Sequence, residues 1–508
     1  MRRSGILMRI SSLPNDYGIG KLGKEAYAFV DFLEKAHQKC WQILPISPTS
    51  YGDSPYQSFS VHAGNPYFID LEALEKEGYL KPAEYKDIEW GDDKGSVDYG
   101  KIYEVIFKVL RTAHKRFRKK PEKSYSKFVV ENKDWIYDYA LFMSLKFANK
   151  GKAWYEWDEP LKMYKPKAIK SARKEYANDI DFWCFVQYKY FQQWKKLKAY
   201  ANEKGIEIIG DIPIYVAYDS VEVWSTPQYF SLDKEKKPVE VAGCPPDAFT
   251  ADGQLWGNPI YDWNAMEKDN FSWWISRIGH SLKLYDTVRI DHFRAFASYW
   301  AVPAESKTAK VGEWLDGPKM KLFNKVFEAY PNAPIIAEDL GVFGDDVVKL
   351  LEDTGFPGMK VVQFGFDPNS DSSHIPHNSV QNSINYVGTH DNNTILGWLW
   401  EASDEERKFA LEYCGFTGDN WGEGGYYSPS CRKIIETVWK SSSNVAIIAL
   451  QDMCGFGSDA RMNIPGVPEK NWRFRTTKET IDNIDSSYFK HINSLFRRMY
   501  PAFDYKKN

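Results

Sequence analysis

Short apolar runs recur along the chain and alternate with longer segments of helical spacing. The runs are bounded by polar residues, Gly or Pro, as buried strands are. Eight are predicted strands, at residues 5–10, 41–45, 206–213, 287–290, 333–339, 359–364, 385–391 and 444–452. Apolar residues three and four positions apart predict helices at 23–37, 180–203, 318–330, 403–413 and 428–440. Eight strands that alternate with helices predict an α/β fold, the (β/α)₈ TIM barrel.

Two long segments interrupt this alternation. Residues 71–175 are charged, helical in pattern and rich in Lys, Glu, Trp and Tyr, which predicts a mainly helical insertion subdomain. In residues 224–280, the stretches 245–249 and 253–261 are punctuated by Gly and Pro and are predicted to be loop, not regular structure. A long loop inside a compact enzyme predicts a lid over the active site. The predicted barrel then comprises residues 1–70, 176–223 and 281–508.

Charged side chains follow five of the predicted strands, where a barrel has its catalytic face. These strand ends carry Asp211, Arg289 with Asp291, Glu338 with Asp339, His390 with Asp391, and Gln451 with Asp452. Arg289 and Asp291 are two residues apart, so on a strand they point the same way, and the cation favours an ionised carboxylate. Alone, this pair could equally brace a strand end. Carboxylates at five strand ends favour a catalytic site instead.

Composition narrows the possible partners. With 66 Lys and Arg against 69 Asp and Glu, the formal net charge is −3, so no nucleic-acid or membrane partner is expected. The six cysteines are scattered without metal-ligand spacing and predict free thiols in a reducing compartment. The first residues lack the apolar segment of a signal peptide, so a cytoplasmic protein is expected. Without a Gly-rich phosphate loop or an HExxH motif, neither a cofactor nor a metal is expected.

The aromatic content points to a ligand class. The chain has 19 Trp, 32 Tyr and 30 Phe, and many lie in loops rich in Gly, Pro, Asp and Asn. Exposed rings in such loops suit ligands with an apolar face and a polar rim, which describes both sugars and nucleobases; the slightly acidic net charge disfavours nucleobases. Two carboxylates in different environments are what glycoside chemistry uses.

Short motifs in a fixed order then resemble one enzyme family. They are Trp41-Gln-Ile-Leu-Pro45, Tyr51-Gly-Asp-Ser-Pro-Tyr-Gln57, Gly64-Asn-Pro-Tyr67, Gly210-Asp-Ile-Pro-Ile-Tyr-Val-Ala217, Pro245-Pro-Asp247, Trp256-Gly-Asn-Pro259, Arg289-Ile-Asp-His-Phe-Arg294, Ala337-Glu-Asp-Leu-Gly341, Gly388-Thr-His-Asp391 and Ala460-Arg-Met-Asn463. Together they resemble the 4-α-glucanotransferases (amylomaltase or disproportionating enzyme) of glycoside hydrolase family 77. The resemblance covers nearly the whole chain. It departs from the family pattern at Met8-Arg9-Ile10, at Asp459 and at Glu469-Lys470.

The resemblance implies roles for individual residues. Asp291 is implied to be the nucleophile, Glu338 the general acid/base and Asp391 the stabiliser of the transition state, with nucleophile and acid about 5–5.5 Å apart. The substrate-binding residues expected from the same resemblance are Arg289, His390, Tyr56, Asp211, Asp339, Asn463, Tyr51, Asp247, Trp256 and Asn258. Among them, Asp247, Trp256 and Asn258 resemble a loop over the bound glucan, and Tyr51 an accessory glucan contact. For His390, Trp256 and Tyr51 the alternative is ordinary packing.

The family resemblance implies an activity with two alternatives. The expected reaction transfers a segment of an α-1,4-glucan or maltooligosaccharide to the 4-hydroxyl of a glucan or glucose acceptor, with retention of configuration. The first alternative is a retaining α-1,4-glucan hydrolase, in which water takes the same intermediate. The second is a glucan-binding protein without catalysis. Aromatic loops at 51–57 and 245–261 favour a sugar acceptor and hence transfer.

Overall fold

The structure is a computed structural model that describes residues 2–50, 52–246, 250–341, 344–467 and 470–499. Its strands are β1 (Arg3–Leu7), β2 (Cys40–Gln42), β3 (Glu207–Pro213), β4 (Glu240–Cys244), β5 (Gln254–Pro259), β6 (Thr287–Asp291), β7 (Ser298–Pro303), β8 (Glu313–Asp316), β9 (Ile335–Ala337), β10 (Gly358–Val361), β11 (Ser383–Tyr386) and β12 (Val445–Ala449).

Eight of these strands form one parallel sheet, in the order β10-β11-β12-β1-β2-β3-β6-β9. The two ends of this order approach each other, since the backbone N–H of Ala337 donates to the carbonyl of Pro357 at 3.0 Å. The sheet is therefore nearly closed into a barrel. All five residues of β12 are buried, as expected for strands covered on both faces. The predicted (β/α)₈ barrel is confirmed, and each of its strands overlaps a predicted one.

The helices are α1 (Lys24–Lys35), α2 (Leu71–Lys76), α3 (Tyr99–Phe117), α4 (Lys123–Glu131), α5 (Lys133–Ala148), α6 (Glu159–Lys162), α7 (Pro166–Glu175), α8 (Ala177–Glu203), α9 (Val221–Ser225), α10 (Trp263–Lys268), α11 (Ser272–Leu284), α12 (Met320–Ala329), α13 (Asp345–Thr354), α14 (Ile395–Glu401), α15 (Asp404–Tyr413), α16 (Pro429–Lys440), α17 (Leu450–Met453), α18 (Lys478–Asp482) and α19 (Ser486–Leu495). The five segments predicted from helical spacing match α1, α8, α12, α15 and α16.

Residues 71–175 are helical, with α2 to α7 in this range, and they pack against the long helix α8. Lys189 of α8 is fully buried there and forms ion pairs with Glu77, at 2.8 Å, and with Glu122. A buried lysine is tolerated because two carboxylates compensate its charge. Among the described residues, no helix combines the length and the apolar composition needed to cross a membrane.

A second, antiparallel sheet has the strand order β5-β4-β7-β8; we call it the cover sheet. It corrects one prediction: residues 253–261 were expected to be loop, but 254–259 form β5. Pairing with β4 stabilises β5 despite its Gly and Pro, and Gly257 takes the left-handed φ of 74° that glycine tolerates. The boundaries of the three predicted parts of the chain stay predictions.

Candidate active site

Asp291 and Glu338 lie at the ends of neighbouring strands of the barrel, at the same level. Ile290 of β6 pairs with Ala337, the last residue of β9, and each carboxylate is the next residue. The backbone N–H of Glu338 donates to the carbonyl of Ile290 at 3.0 Å, and that of Phe293 donates to the carbonyl of Glu338 at 3.0 Å. The sheet register thus brings together two acids that are 47 positions apart in the sequence.

One buried guanidinium joins two carboxylates at this strand end. Nη1 of Arg289 donates to both oxygens of Asp211, at 2.8 and 2.7 Å, and Nη2 lies 2.9 Å from Oδ1 of Asp291. The register that places Asp211 of β3 opposite Arg289 of β6 explains the first pair. The Asp211 side chain has no exposed surface. Its carboxylate bonds to Arg289 and Tyr56, and its expected substrate contact stays a prediction.

The two central acids differ in their affinity for a proton. Burial and the negative charge of Asp291 raise the pKa of Glu338 to about 7. Burial also raises the pKa of Asp291, although the positive charge of Arg289 acts to lower it. The side chain of Asp291 keeps 28% of its surface exposed. The charge of Arg289 favours the ionised form of Asp291, and a charge on Asp291 in turn favours the protonated form of Glu338. This arrangement suits Glu338 to donate a proton and Asp291 to act as a carboxylate.

Asp391 and His390 each favour the charged form of the other. Burial acts to raise the pKa of Asp391, but His390 and Asn463 outweigh that effect and lower it to about 2. Burial likewise acts to lower the pKa of His390, but Asp391 outweighs it and the pKa is raised. Nε2 of His390 lies 3.3 Å from Asp391, and Nδ1 lies 3.1 Å from the hydroxyl of Tyr56. That hydroxyl donates to Asp211 at 2.7 Å. The polar contacts therefore run unbroken from Asp391 to Arg289.

The loop after β12 holds Asp391 from the other side. Nδ2 of Asn463 donates to its Oδ1 at 2.6 Å, and Nη2 of Arg461 donates to its backbone carbonyl at 2.5 Å. Oδ2 of Asp391 lies 3.3 Å from Nε2 of His390, but 46% of the side chain stays exposed, so a ligand can reach the carboxylate. Asn463 thus lies within the constellation that the sequence predicted, as a direct partner of a carboxylate.

The cover sheet places Trp256 and Asn258 differently. The indole of Trp256 packs edge-on against the ring of His292, with centroids 4.8 Å apart. Asn258 is 5% exposed; its Nδ2 donates to the carbonyl of Val216 at 2.8 Å, and its Oδ1 accepts from Gln57 at 3.1 Å. Trp256 therefore lies beside the residue that follows Asp291. Asn258 ties β5 to the loops after β2 and β3, and in this structure its polar atoms are used within the protein.

Asp339, another predicted binding residue, bonds to a neighbouring strand of the barrel. Asp339 accepts from the backbone N–H of Met359 at 2.6 Å and packs against Gly358, where a Cβ atom would approach within 2.4 Å of a carboxylate oxygen. Asp339, which lies two residues after β9, thus bonds to β10. This bond connects the two strands that form the ends of the sheet. Its expected place in the substrate site stays a prediction. Tyr51 and Asp247 lie outside the described residues.

Two backbone donors and one indole of the site were not predicted from the sequence. The backbone N–H of His292 donates to Glu338 at 2.6 Å, and that of Leu340 donates to its other oxygen at 2.8 Å. The indole of Trp472 packs against the rings of Tyr56 and His390. A backbone donor leaves no trace in residue type, and Trp472 is far from the strand ends in the sequence. Its position after a Gly/Pro-containing loop was the one available signal.

Within the part of the chain that the structure describes, no three His, Cys, Asp or Glu side chains are arranged to hold a metal ion. Asp452, the acid at the last of the five predicted strand ends, is buried. Its Oδ1 accepts from the backbone N–H of Ile395 at 2.8 Å, and burial raises its pKa to about 7. Asp452 therefore supports the first turn of α14.

Comparison with known proteins agrees with this geometry. The family model described as 4-alpha-glucanotransferase, glycoside hydrolase family 77, matches residues 8–480. The chain belongs to this family. The resemblance expected from the motifs is thereby confirmed. A 4-alpha-glucanotransferase of Clostridium butyricum is 48% identical over 97% of this chain and 100% of its own length. One of Thermus thermophilus is 43% identical over 93% of this chain and 94% of its own length.

Solved structures of the family share the fold. The amylomaltase of Streptococcus agalactiae, solved in complex with acarbose, superposes with a TM-score of 0.94 at 42% identity, over 98% of this chain and all of that chain. The amylomaltase of Corynebacterium glutamicum superposes with a TM-score of 0.78 over 98% of this chain and 75% of its own. At 17% identity, the second likeness bears on the fold alone.

Proposed function

We propose that this family member transfers a segment of an α-1,4-glucan or maltooligosaccharide to the 4-hydroxyl of a glucan or glucose acceptor, with retention of configuration. The observation that carries the proposal is the pair of unlike acids on neighbouring strand ends. Glu338 has a pKa of about 7, and Asp291 is paired with Arg289 at 2.9 Å. Retaining glycoside chemistry needs one protonated and one ionised carboxylate.

In the first step, a carboxylate oxygen of Asp291 attacks the anomeric carbon of the donor. The bond from this carbon to the bridging oxygen breaks, and that oxygen takes the proton of Glu338. The products are a glycosyl ester on Asp291 and a shortened glucan with a free 4-hydroxyl. Glu338 is then a carboxylate, positioned to act as a base.

In the second step, Glu338 removes the proton of an acceptor 4-hydroxyl as the oxygen attacks the same carbon. The ester bond breaks and Asp291 leaves as a carboxylate. Two inversions at one carbon give overall retention. We assign to Asp391 the stabilisation of the positive charge that develops on the sugar, since an ionised carboxylate in a partly enclosed site favours such charge.

Other parts of the site are proposed to select sugars over water. Trp256 offers a ring beside His292, and its strand β5 belongs to the predicted lid region, residues 224–280. A sugar held there reaches the intermediate before water does, which favours transfer over the hydrolase alternative. Tyr56, Arg289, His390 and Asn463 are proposed to shape the donor site, with Tyr51 and Asp247 as further predicted contacts. A cytoplasmic location belongs to the proposal, because no disulfide joins the cysteines of the described residues.

Incubation with maltotriose tests the proposal. Transfer yields glucose together with maltotetraose and longer products, whereas a hydrolase yields only glucose and maltose. A protein that binds glucan without catalysis leaves maltotriose unchanged. The matched control is Asp291→Asn, which removes the nucleophile while preserving size. Transfer products from that variant, or from the wild type only hydrolysis products, contradict the proposal.

A further inference from the structure

The indole of Trp472 lies against two rings of the candidate site. Its centroid is 5.9 Å from that of Tyr56 and 5.8 Å from that of His390, and the Tyr56 and His390 rings stack at 4.8 Å. Trp472 is only 5% exposed. The imidazole of His390 must keep its plane to contact Tyr56 through Nδ1 and Asp391 through Nε2. A ring packed against it restricts that plane.

The backbone of Trp472 is held in a conformation that large side chains rarely adopt. Its φ is 65°, in the left-handed region, where a bulky residue is strained. Its carbonyl accepts two hydrogen bonds, from Nη1 of Arg9 at 3.0 Å and from the hydroxyl of Tyr99 at 2.9 Å. Its N–H donates to the carbonyl of Met462 at 2.8 Å. These three bonds offset the strain and fix the direction of the indole.

The helical segment 71–175 supplies one of the three hydrogen bonds that hold the backbone of Trp472. Tyr99 is the first residue of α3. Just before it, the N–H of Val97 donates to the carbonyl of Arg473, and the carbonyl of Gly95 accepts from the N–H of Arg475, both at 2.8 Å. The residues around Trp472 thus form a short backbone ladder with the start of α3. This contact joins the helical segment to the loop that reaches the catalytic rings.

We propose that Trp472 is a positioning residue for His390 and Asp391, and that the helical segment acts on catalysis by holding Trp472 through Tyr99. The inference rests on the proposed function, since it assigns a means of orienting the acids of that reaction. It gives residues 71–175 a role in the chemistry that needs no glucan contact. Loss of Trp472 leaves the imidazole free to rotate, so Asp391 meets the transition state less well aligned.

Trp472→Ala and Trp472→Phe test the positioning role with maltotriose as substrate. We expect Trp472→Ala to lower kcat at least about tenfold, because small misplacements of catalytic groups are costly. KM should change less than about threefold, because the contact of Asp391 with the sugar is strongest in the transition state. Trp472→Phe keeps an aromatic ring and should restore most of kcat. A purely structural role predicts no such difference between kcat and KM at a temperature where both variants are folded.

Tyr99→Phe tests the connection to the helical segment, because it removes one donor and keeps the ring. We expect kcat to fall about fivefold, the effect of one hydrogen bond. The matched control is Tyr125→Phe, which removes a hydroxyl that donates to Asp181 at 2.8 Å within the same segment. This control should keep the wild-type kcat. In the double variant Tyr99→Phe/Trp472→Ala, the Tyr99 change should add nothing further, since it acts through Trp472.

Three results overturn the inference: wild-type kcat in Trp472→Ala, equal effects of the Tyr99 and Tyr125 changes, or fully multiplicative effects in the double variant. Each of these results is compared with a wild type that forms maltotetraose and longer products. Failure of the wild type to form them contradicts the proposed function instead, so the two failures are distinguishable.

Discussion

Glu338 accepts, through Oε2, a hydrogen bond from the backbone N–H of His292 at 2.6 Å. His292 directly follows Asp291 and has a left-handed φ of 57°. The position of the proposed acid is thus set by the backbone that leaves the proposed nucleophile. A rigid backbone holds catalytic groups more accurately than a flexible side chain does.

The pH dependence of transfer follows from this pair. Glu338 must be protonated for the first step, and its pKa is about 7. We therefore expect kcat/KM for maltotriose to fall as the pH rises through about 7, and to fall again at acid pH as Asp291 takes up a proton. The measurement is a pH profile of initial rates under conditions where the protein is folded.

A donor that needs no acid provides the control for this profile. With maltosyl fluoride, the leaving fluoride requires little protonation, so formation of the glycosyl-enzyme should lose its decline above about pH 7. An unchanged decline with this donor, or a plateau for maltotriose that extends to about pH 9, contradicts the assignment of Glu338.

Arg289→Lys should harm both activity and stability. A lysine ammonium cannot bridge Asp211 and Asp291 as the guanidinium does. Asp211 is fully buried, so its weakened pairing should lower the free energy of unfolding by about 2–4 kcal/mol. We expect kcat/KM to fall about 100-fold, since Asp291 is less well held and its pKa rises further. Denaturant unfolding and initial rates measure the two effects.

Arg173→Lys is the matched control. Arg173 pairs with Asp138 at 2.6 Å on the surface, with 46% of its side chain exposed. Such pairs contribute little, so the free energy of unfolding should change by less than about 0.5 kcal/mol and the rate should stay the same. Equal losses in the two variants speak against a special role of the buried bridge.

Asp452 predicts a pH dependence of stability. Burial raises its folded-state pKa to about 7, above the unfolded value of about 3.9. Because the pKa is higher in the folded state, the contribution of Asp452 to the free energy of unfolding is fully present below about pH 4. This contribution is lost as the pH rises through about 7. Asp452→Asn keeps an acceptor for Ile395 without the charge. The melting temperature of this variant, relative to the wild type, should therefore increase between about pH 5 and pH 9. A constant difference across that range excludes the effect.

The barrel could be predicted because its strands carry their own signal. The run from Val445 to Ala449 is apolar throughout, as a strand buried on both faces must be. The cover sheet could not be predicted, because β5 carries little apolar signal of its own and depends on its pairing with β4. Gly257 and Pro259 suggest a loop until the pairing with β4 is known. The pattern of apolar residues predicts strands that are buried on both faces. It misses a strand such as β5, which is stabilised by pairing with a neighbouring strand.

The same distinction applies to the site. Strand ends marked Asp291, Glu338 and Asp391 from the sequence, because residue type and position coincide there. Side-chain partners were less predictable: Asp339 bonds to the backbone of Met359, which no motif reveals. The clamp on Trp472 requires the ends of the chain and the helical segment to meet in space.

Capture of the covalent intermediate directly tests whether Asp291 is the nucleophile. In Glu338→Gln, maltosyl fluoride can still glycosylate the nucleophile, but the base for the second step is missing, so the intermediate should accumulate. Proteolysis and mass spectrometry then locate the sugar. We expect a maltosyl ester on Asp291, which is absent from the double variant Glu338→Gln/Asp291→Asn. A maltosyl group on another residue, such as Asp391, contradicts it.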